Sequence, residues 1–109
     1  MKLTHATLEM DSNGNIRKED NMVTIIVKPD TGNSVRLFCK IDPDQNTLIA
    51  FNTAIMGIVC PCCNSNTFTC STLYNKRHKL LREAYELLKE NHSIRLKLLY
   101  DQFGELTVK

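Results

Sequence analysis

Tryptophan is absent from this 109-residue chain, glycine occurs four times, proline three times, and aromatic residues make up only 6% of it. A core with so few rings has to be built from Leu, Ile and Val. The chain also lacks GxSxG, GxGxxG, a phosphate-binding GxxxxGK[ST] loop and HExxH, which excludes the common signatures of acyl transfer, dinucleotide binding, phosphoryl transfer and zinc proteolysis. Long apolar runs are missing too. The longest, Ala54 to Cys60, is interrupted by Gly57 and falls far short of the roughly 20 residues a membrane span requires. A strong charge of one sign is the last absence: 14 Lys and Arg stand against 12 Asp and Glu, a net of +2. That balance does not suit a protein whose main partner is a polyphosphate backbone. The distribution is less even, since residues 1–70 carry six basic and seven acidic side chains and residues 71–109 eight and five, so an anionic contact belongs to the C-terminal third.

What the chain does have is cysteine. Four of its five, Cys60, Cys62, Cys63 and Cys70, fall within one short stretch, and Cys39 stands apart. An odd total, no signal peptide and adjacent cysteines argue against a secreted disulfide framework and for the reducing cytoplasm. In that setting the Asn91-His-Ser93 sequon has no chemistry to report.

One domain over residues 1–109 is expected, of α+β class: a small antiparallel β-sheet, mainly in 1–59, then a cysteine-rich zinc knuckle at 60–70 and a bent helix or helical hairpin over 75–103. Residues 2–10 read as a short strand ending in the turn formers Asp11 to Asn15. Met22–Lys28 and Val35–Ile41 are β-branched runs around Pro29-Asp-Thr-Gly-Asn33, a hairpin pattern that places Val35, Leu37, Cys39 and Ile41 on one face. Thr47–Phe51 and Ala54–Val59 read as two further strands separated by Asn52-Thr53. From Asn75, the expected N-cap, the period becomes helical, with Leu80, Leu81, Ala84, Leu87 and Leu88 on one stripe. Lys79–Glu83 and Arg82–Glu86 have i,i+4 spacing. Asn91-His-Ser93 is the expected break, Ser93 the cap of a second helix, and Gly104 its end.

The cysteine segment carries the clearest chemistry. In Cys60-Pro-Cys-Cys63-Asn64 a CxxC turn holds two sulfurs about a tetrahedral edge apart while backbone amides point at the thiolates, which suits Zn²⁺. Pro61 fixes one turn dihedral, and Asn64 tolerates a positive φ. The five residues resemble the zinc knuckle of ribbon and treble-clef domains, without the usual second CxxC. Cys70 is the expected third ligand and His78, in the first turn of the helix, the fourth; Cys39 and Cys62 are the alternates. Cys62 is expected to be exposed, and Cys39 to be a core thiol if it is not a ligand. Four protein ligands leave no position for a catalytic water, so the metal is expected to be structural and the protein not an enzyme. A cysteine committed to zinc is not a nucleophile for His78 or His92.

Lys76, Arg77, Lys79 and Arg82 form a basic cluster at the helix start, a candidate partner-binding surface. Glu83, Glu86 and Glu90 interrupt it one turn later, and Tyr74 and Tyr85 are the only nearby rings, which favours a protein partner over nucleic acid. Small size, balanced charge, a lone knuckle and the sheet-then-helix plan are similar in overall character to the zinc-containing phage anti-CRISPR proteins directed at type II effector nucleases. The resemblance implies a stoichiometric inhibitor in the host cytoplasm that binds the RNA-guided nuclease or blocks its loading with target DNA. The basic helix or a hairpin edge would be the contact surface.

Overall fold

The computed structural model describes residues 2–63, 70–91 and 93–108. The strands are β1 (Leu3–Leu8), β2 (Lys18–Glu19), β3 (Met22–Pro29), β4 (Val35–Asp42), β5 (Thr47–Ile55) and β6 (Thr107–Val108); the helices are α1 (Ser71–Asn75), α2 (Arg77–Asn91) and α3 (Ser93–Phe103). The sheet order is β1-β3-β4-β5-β6, with β2 also paired to β3, and every pairing is antiparallel except β5 with β6. An antiparallel sheet, then a cysteine segment, then helices is the α+β plan expected from the sequence.

The central hairpin follows its alternation. Val23, Ile25 and Val27 on β3 lie opposite Cys39, Leu37 and Val35 on β4, and all six are buried on one face. Two strand readings needed correction. Thr47 to Ile55 is one strand, not two strands parted at Asn52-Thr53, because the β4–β5 register slips by one residue at Phe38/Cys39 and leaves Phe51 as a bulge. The slip resets the phase, so Leu48 and Ala50 before it and Ile55 after it all reach the core although their positions differ in parity. The second correction adds β2, which turns into β3 through Asp20 and Asn21, at φ 50° and 64°. Two consecutive left-handed residues give the type I′ hairpin, whose twist matches the strands it joins.

The helices cover the same face of the sheet, with α2 packed on β1 and β5. Leu80, Leu81, Ala84, Tyr85 and Leu88 supply its buried stripe, and Leu87 is half-buried beside them. Helix begins earlier than expected. Cys70, not Asn75, is the N-cap: its Sγ accepts from the Leu73 N–H at 3.4 Å and starts α1, which Asn75 ends. Of the ion pairs expected on α2, neither Lys79–Glu83 nor Arg82–Glu86 forms; Lys89 instead meets Glu86 at 3.4 Å and lies over the Tyr85 ring. Pairs between long exposed side chains contribute only about 0.3 kcal/mol, too little to fix their geometry.

α2 and α3 form a hairpin, the second of the two expected arrangements. In one continuous helix Tyr85 and Tyr100 would lie about 22 Å apart, yet their hydroxyls are hydrogen-bonded and Tyr85 also donates to the Leu106 carbonyl. Leu96 and Leu99 are buried, and Phe103 is half-buried against the core they join. Gly104, at φ 78°, ends α3, and the chain returns to β5, where Asn46 accepts the Thr107 N–H at 2.8 Å. The expected breakpoint residue, His92, lies outside the described residues, as do the side chain of Ser93 and its capping role.

Candidate metal centre

β5 delivers the chain to the cysteine segment, and the β3–β4 loop holds it there. Asn33 bonds Val59 twice: its N–H donates to the Val59 carbonyl at 3.1 Å, and its Oδ1 accepts the Val59 N–H at 2.8 Å. Pro61 is buried against Gly32, where a Cβ would come within 2.6 Å of the Pro61 Cα. Gly32 also sits at φ 78°, so it satisfies a backbone conformation and a close approach together. We expect Gly32→Ala to destabilise the protein by about 2 kcal/mol and to weaken metal retention as well, because the displaced neighbour is the residue after Cys60. Thermal melts and a chelator competition measure the two effects. A melt within about 0.5 kcal/mol of the parent would show that the loop does not brace the segment.

The sulfurs of Cys60, Cys63 and Cys70 all lie within 4.8 Å of one another. Tetrahedral Zn²⁺ with bonds of about 2.3 Å spaces its sulfurs about 3.8 Å apart, so the group closes on an ion with a contraction of about 1 Å at most. Cys60 is fully buried at the inner end, Cys70 is half-buried, and Cys63 is exposed. Burial pushes the Cys60 thiol up, opposed by backbone hydrogen bonds from Cys63 and Cys62. Those amides are the donors that a CxxC knuckle turns toward its first sulfur, and a metal ion is what would make that sulfur an anion.

The remaining candidates lie outside this triad. Cys62 was expected in solvent; instead it is half-buried, packs against the core and shares a thiol hydrogen bond with Cys70, so the exposed member of the adjacent pair is Cys63. Burial raises the Cys62 thiol, and the Lys76 charge opposes that rise. Cys39 is a core thiol, fully buried on β4, donating to the Leu37 carbonyl at 3.6 Å and pushed up by burial to about 12. His78, the second residue of α2, is half-buried and is not within the same 4.8 Å of all three sulfurs. Asn64 and the return turn to Cys70 lie outside the described residues.

The basic cluster divides into two roles. Lys76, Lys79 and Arg82 are exposed. Arg77 turns inward: Nε donates to the Ala50 carbonyl at 3.2 Å, Nη1 to the Tyr74 carbonyl at 3.1 Å, and the guanidinium lies 4.0 Å over the Tyr74 ring. It fastens α1 and α2 to β5 immediately before the Phe51 bulge. Sequence reasoning missed this anchor because a residue within a basic run gives no sign of which member faces a strand.

Among the described residues no helix is long and apolar enough to cross a membrane. No protein family, curated protein or solved structure matches the chain.

Proposed function

We propose that the protein is a small interaction module stabilised by a structural Zn²⁺ ion, acting by binding a partner in the cytoplasm rather than by turnover. The observation that carries this reading is the convergence of Cys60, Cys63 and Cys70 on one point. Three thiolates are a soft donor set suited to zinc, and a fourth donor from Cys62 or His78 would close the coordination sphere against a catalytic water. The bound ion would tie the segment after β5 to the start of α1.

For the partner, a stoichiometric inhibitor of a type II CRISPR effector nuclease is the finer proposal, supported by the resemblance in character set out above. Binding of nucleic acid through Lys76, Lys79 and Arg82 is the alternative; it is weakened by the commitment of Arg77 to Ala50 and Tyr74. The test mixes zinc-loaded protein with an effector nuclease, guide-loaded and guide-free, and separately with DNA and RNA oligonucleotides. The proposal expects a one-to-one complex by size exclusion, with loss of target cleavage. No complex with the nuclease, together with oligonucleotide affinity that falls steeply between about 50 and 200 mM salt, would replace it with the nucleic-acid reading.

A further inference from the structure

We infer that Cys62 and Cys70 are a modification site: a peroxide oxidises them to a disulfide within the chain, which takes Cys70 out of the metal-binding set and releases the ion. The release rests on the zinc reading proposed above, whereas the bond depends only on where the sulfurs lie. The sulfurs of Cys60, Cys63 and Cys70 lie within 4.8 Å of one another, and Cys62 stands outside that triad. It touches one member all the same, through the thiol hydrogen bond it shares with Cys70. Cys62 is therefore a spare thiol held against a candidate ligand. Cys70 has a second sulfur neighbour, because Cys60 also shares a thiol hydrogen bond with it. Exposure decides between the two. Cys60 is fully buried, whereas Cys62 and Cys70 are both half-buried and open to an oxidant as small as hydrogen peroxide. Cys63 is exposed, but its thiol is hydrogen-bonded to Cys60 at the inner end of the triad.

Two steps complete the chemistry. The Cys70 sulfur, an anion when it serves as a ligand, attacks one peroxide oxygen; the O–O bond breaks, hydroxide leaves, and Cys70 becomes a sulfenic acid. The Cys62 sulfur then attacks the Cys70 sulfur, the S–OH bond breaks, and the hydroxyl departs as water with the Cys62 proton. Peroxide is reduced by two electrons, and each sulfur is oxidised by one. The sulfurs close from contact to a bond of about 2.05 Å. A disulfide sulfur carries no charge to offer a metal, so two cysteines of the triad remain, too few to retain zinc. The change also reaches the fold, because the Cys70 sulfur accepts the Leu73 N–H at the start of α1.

The test treats zinc-loaded protein with hydrogen peroxide and counts thiols in denaturant with a chelator present. The count is expected to fall from five to three per chain, and bound zinc from about one ion to below about 0.2. A thiol reductant with added zinc should restore both. Chymotryptic cleavage after Phe68 parts Cys70 from the other cysteines of the segment, so mapping after alkylation of the free thiols identifies its partner without any variant. Cys62→Ser is expected to slow thiol loss at least about tenfold, since the sulfenic acid then lacks its resolving thiol. The inference is overturned by a thiol count that stays at five, by sulfinic acid in place of a bond, or by Cys70 linked to Cys60, to Cys63 or to another chain. Zinc retained in the linked protein, or a Cys62→Ser variant oxidised as fast as the parent, overturns it too. Zinc content read on the same samples separates the two readings. Fully loaded protein that forms no Cys62–Cys70 bond refutes the modification site alone, and folded, metal-free protein that forms the bond refutes the metal alone.

Discussion

If Cys60, Cys63 and Cys70 hold zinc as proposed, withdrawing it with a chelator, or replacing Cys60 with Ser, is expected to be the most damaging single perturbation of this protein. Cys60 is fully buried, shares its site with two further sulfurs, and follows a segment fastened to the β3–β4 loop by both Asn33 hydrogen bonds. Structural zinc contributes about 10–16 kcal/mol in small zinc domains, whereas a domain of this size is stable by about 5–15 kcal/mol in total. Losing even a third of the metal term therefore removes most of the margin. Bound zinc should fall from about one ion per chain to below about 0.2, and the melting temperature by about 20 °C or more. The loss should begin locally, because the Cys70 sulfur that would bind the ion also caps α1. Cys39→Ala separates metal loss from thiol loss: it removes a core thiol, so it should lower stability while leaving zinc content intact. Elemental analysis with parallel melts decides the matter, and a chelated protein that melts where the loaded one does would refute the structural role.

Leu81→Ala is expected to be the most damaging core truncation among the α2 positions, by about 3 kcal/mol, or about 15 °C in melting temperature. Leu81 is fully inaccessible on the helix that spans from β1 to β5, so the cavity left behind is bordered by elements that cannot all collapse into it. Leu98→Ala on α3 removes the same atoms from a side chain that is 44% exposed and should change stability by no more than about 0.5 kcal/mol. Denaturant melts of the two variants measure the contrast. Equal losses would mean that α2 does not organise the core.

The hairpin, the helical period and the three converging cysteines were legible because each depends on local pattern. Alternation over Val35 to Ile41 determines which face is buried, and a CxxC turn brings its sulfurs together without help from the rest of the chain. What escaped the sequence reading depends on pairing across distance or on a single residue with two roles. The Phe51 bulge makes one strand look like two, because a phase slip in period-two alternation is indistinguishable from a break until the partner strand is known. Cys70 as a helix cap was hidden because sulfur is not among the usual capping groups. The β2–β3 turn was within reach, since Asp20-Asn21 before a β-branched run is a type I′ signal in its own right. β6 was not, since two residues have no period and their pairing depends on a partner far back in the chain.

That last strand sets an order on how the chain closes. Thr107 meets Asn46 across a separation of 61 residues, whereas β4 and β5 are joined by the short turn that ends at Asn46. Closing so long a loop costs roughly 2 kcal/mol more entropy than closing a four-residue turn, a difference of the same size as the hydrogen bonds Asn46 and Tyr85 make to Thr107 and Leu106. β6 is therefore a latch and not a nucleus: on its own it holds about as strongly as chain entropy pulls it away. It shuts once the helical hairpin has already brought Leu106 back to the sheet, and the 61-residue excursion tolerates a change of length at little thermodynamic cost.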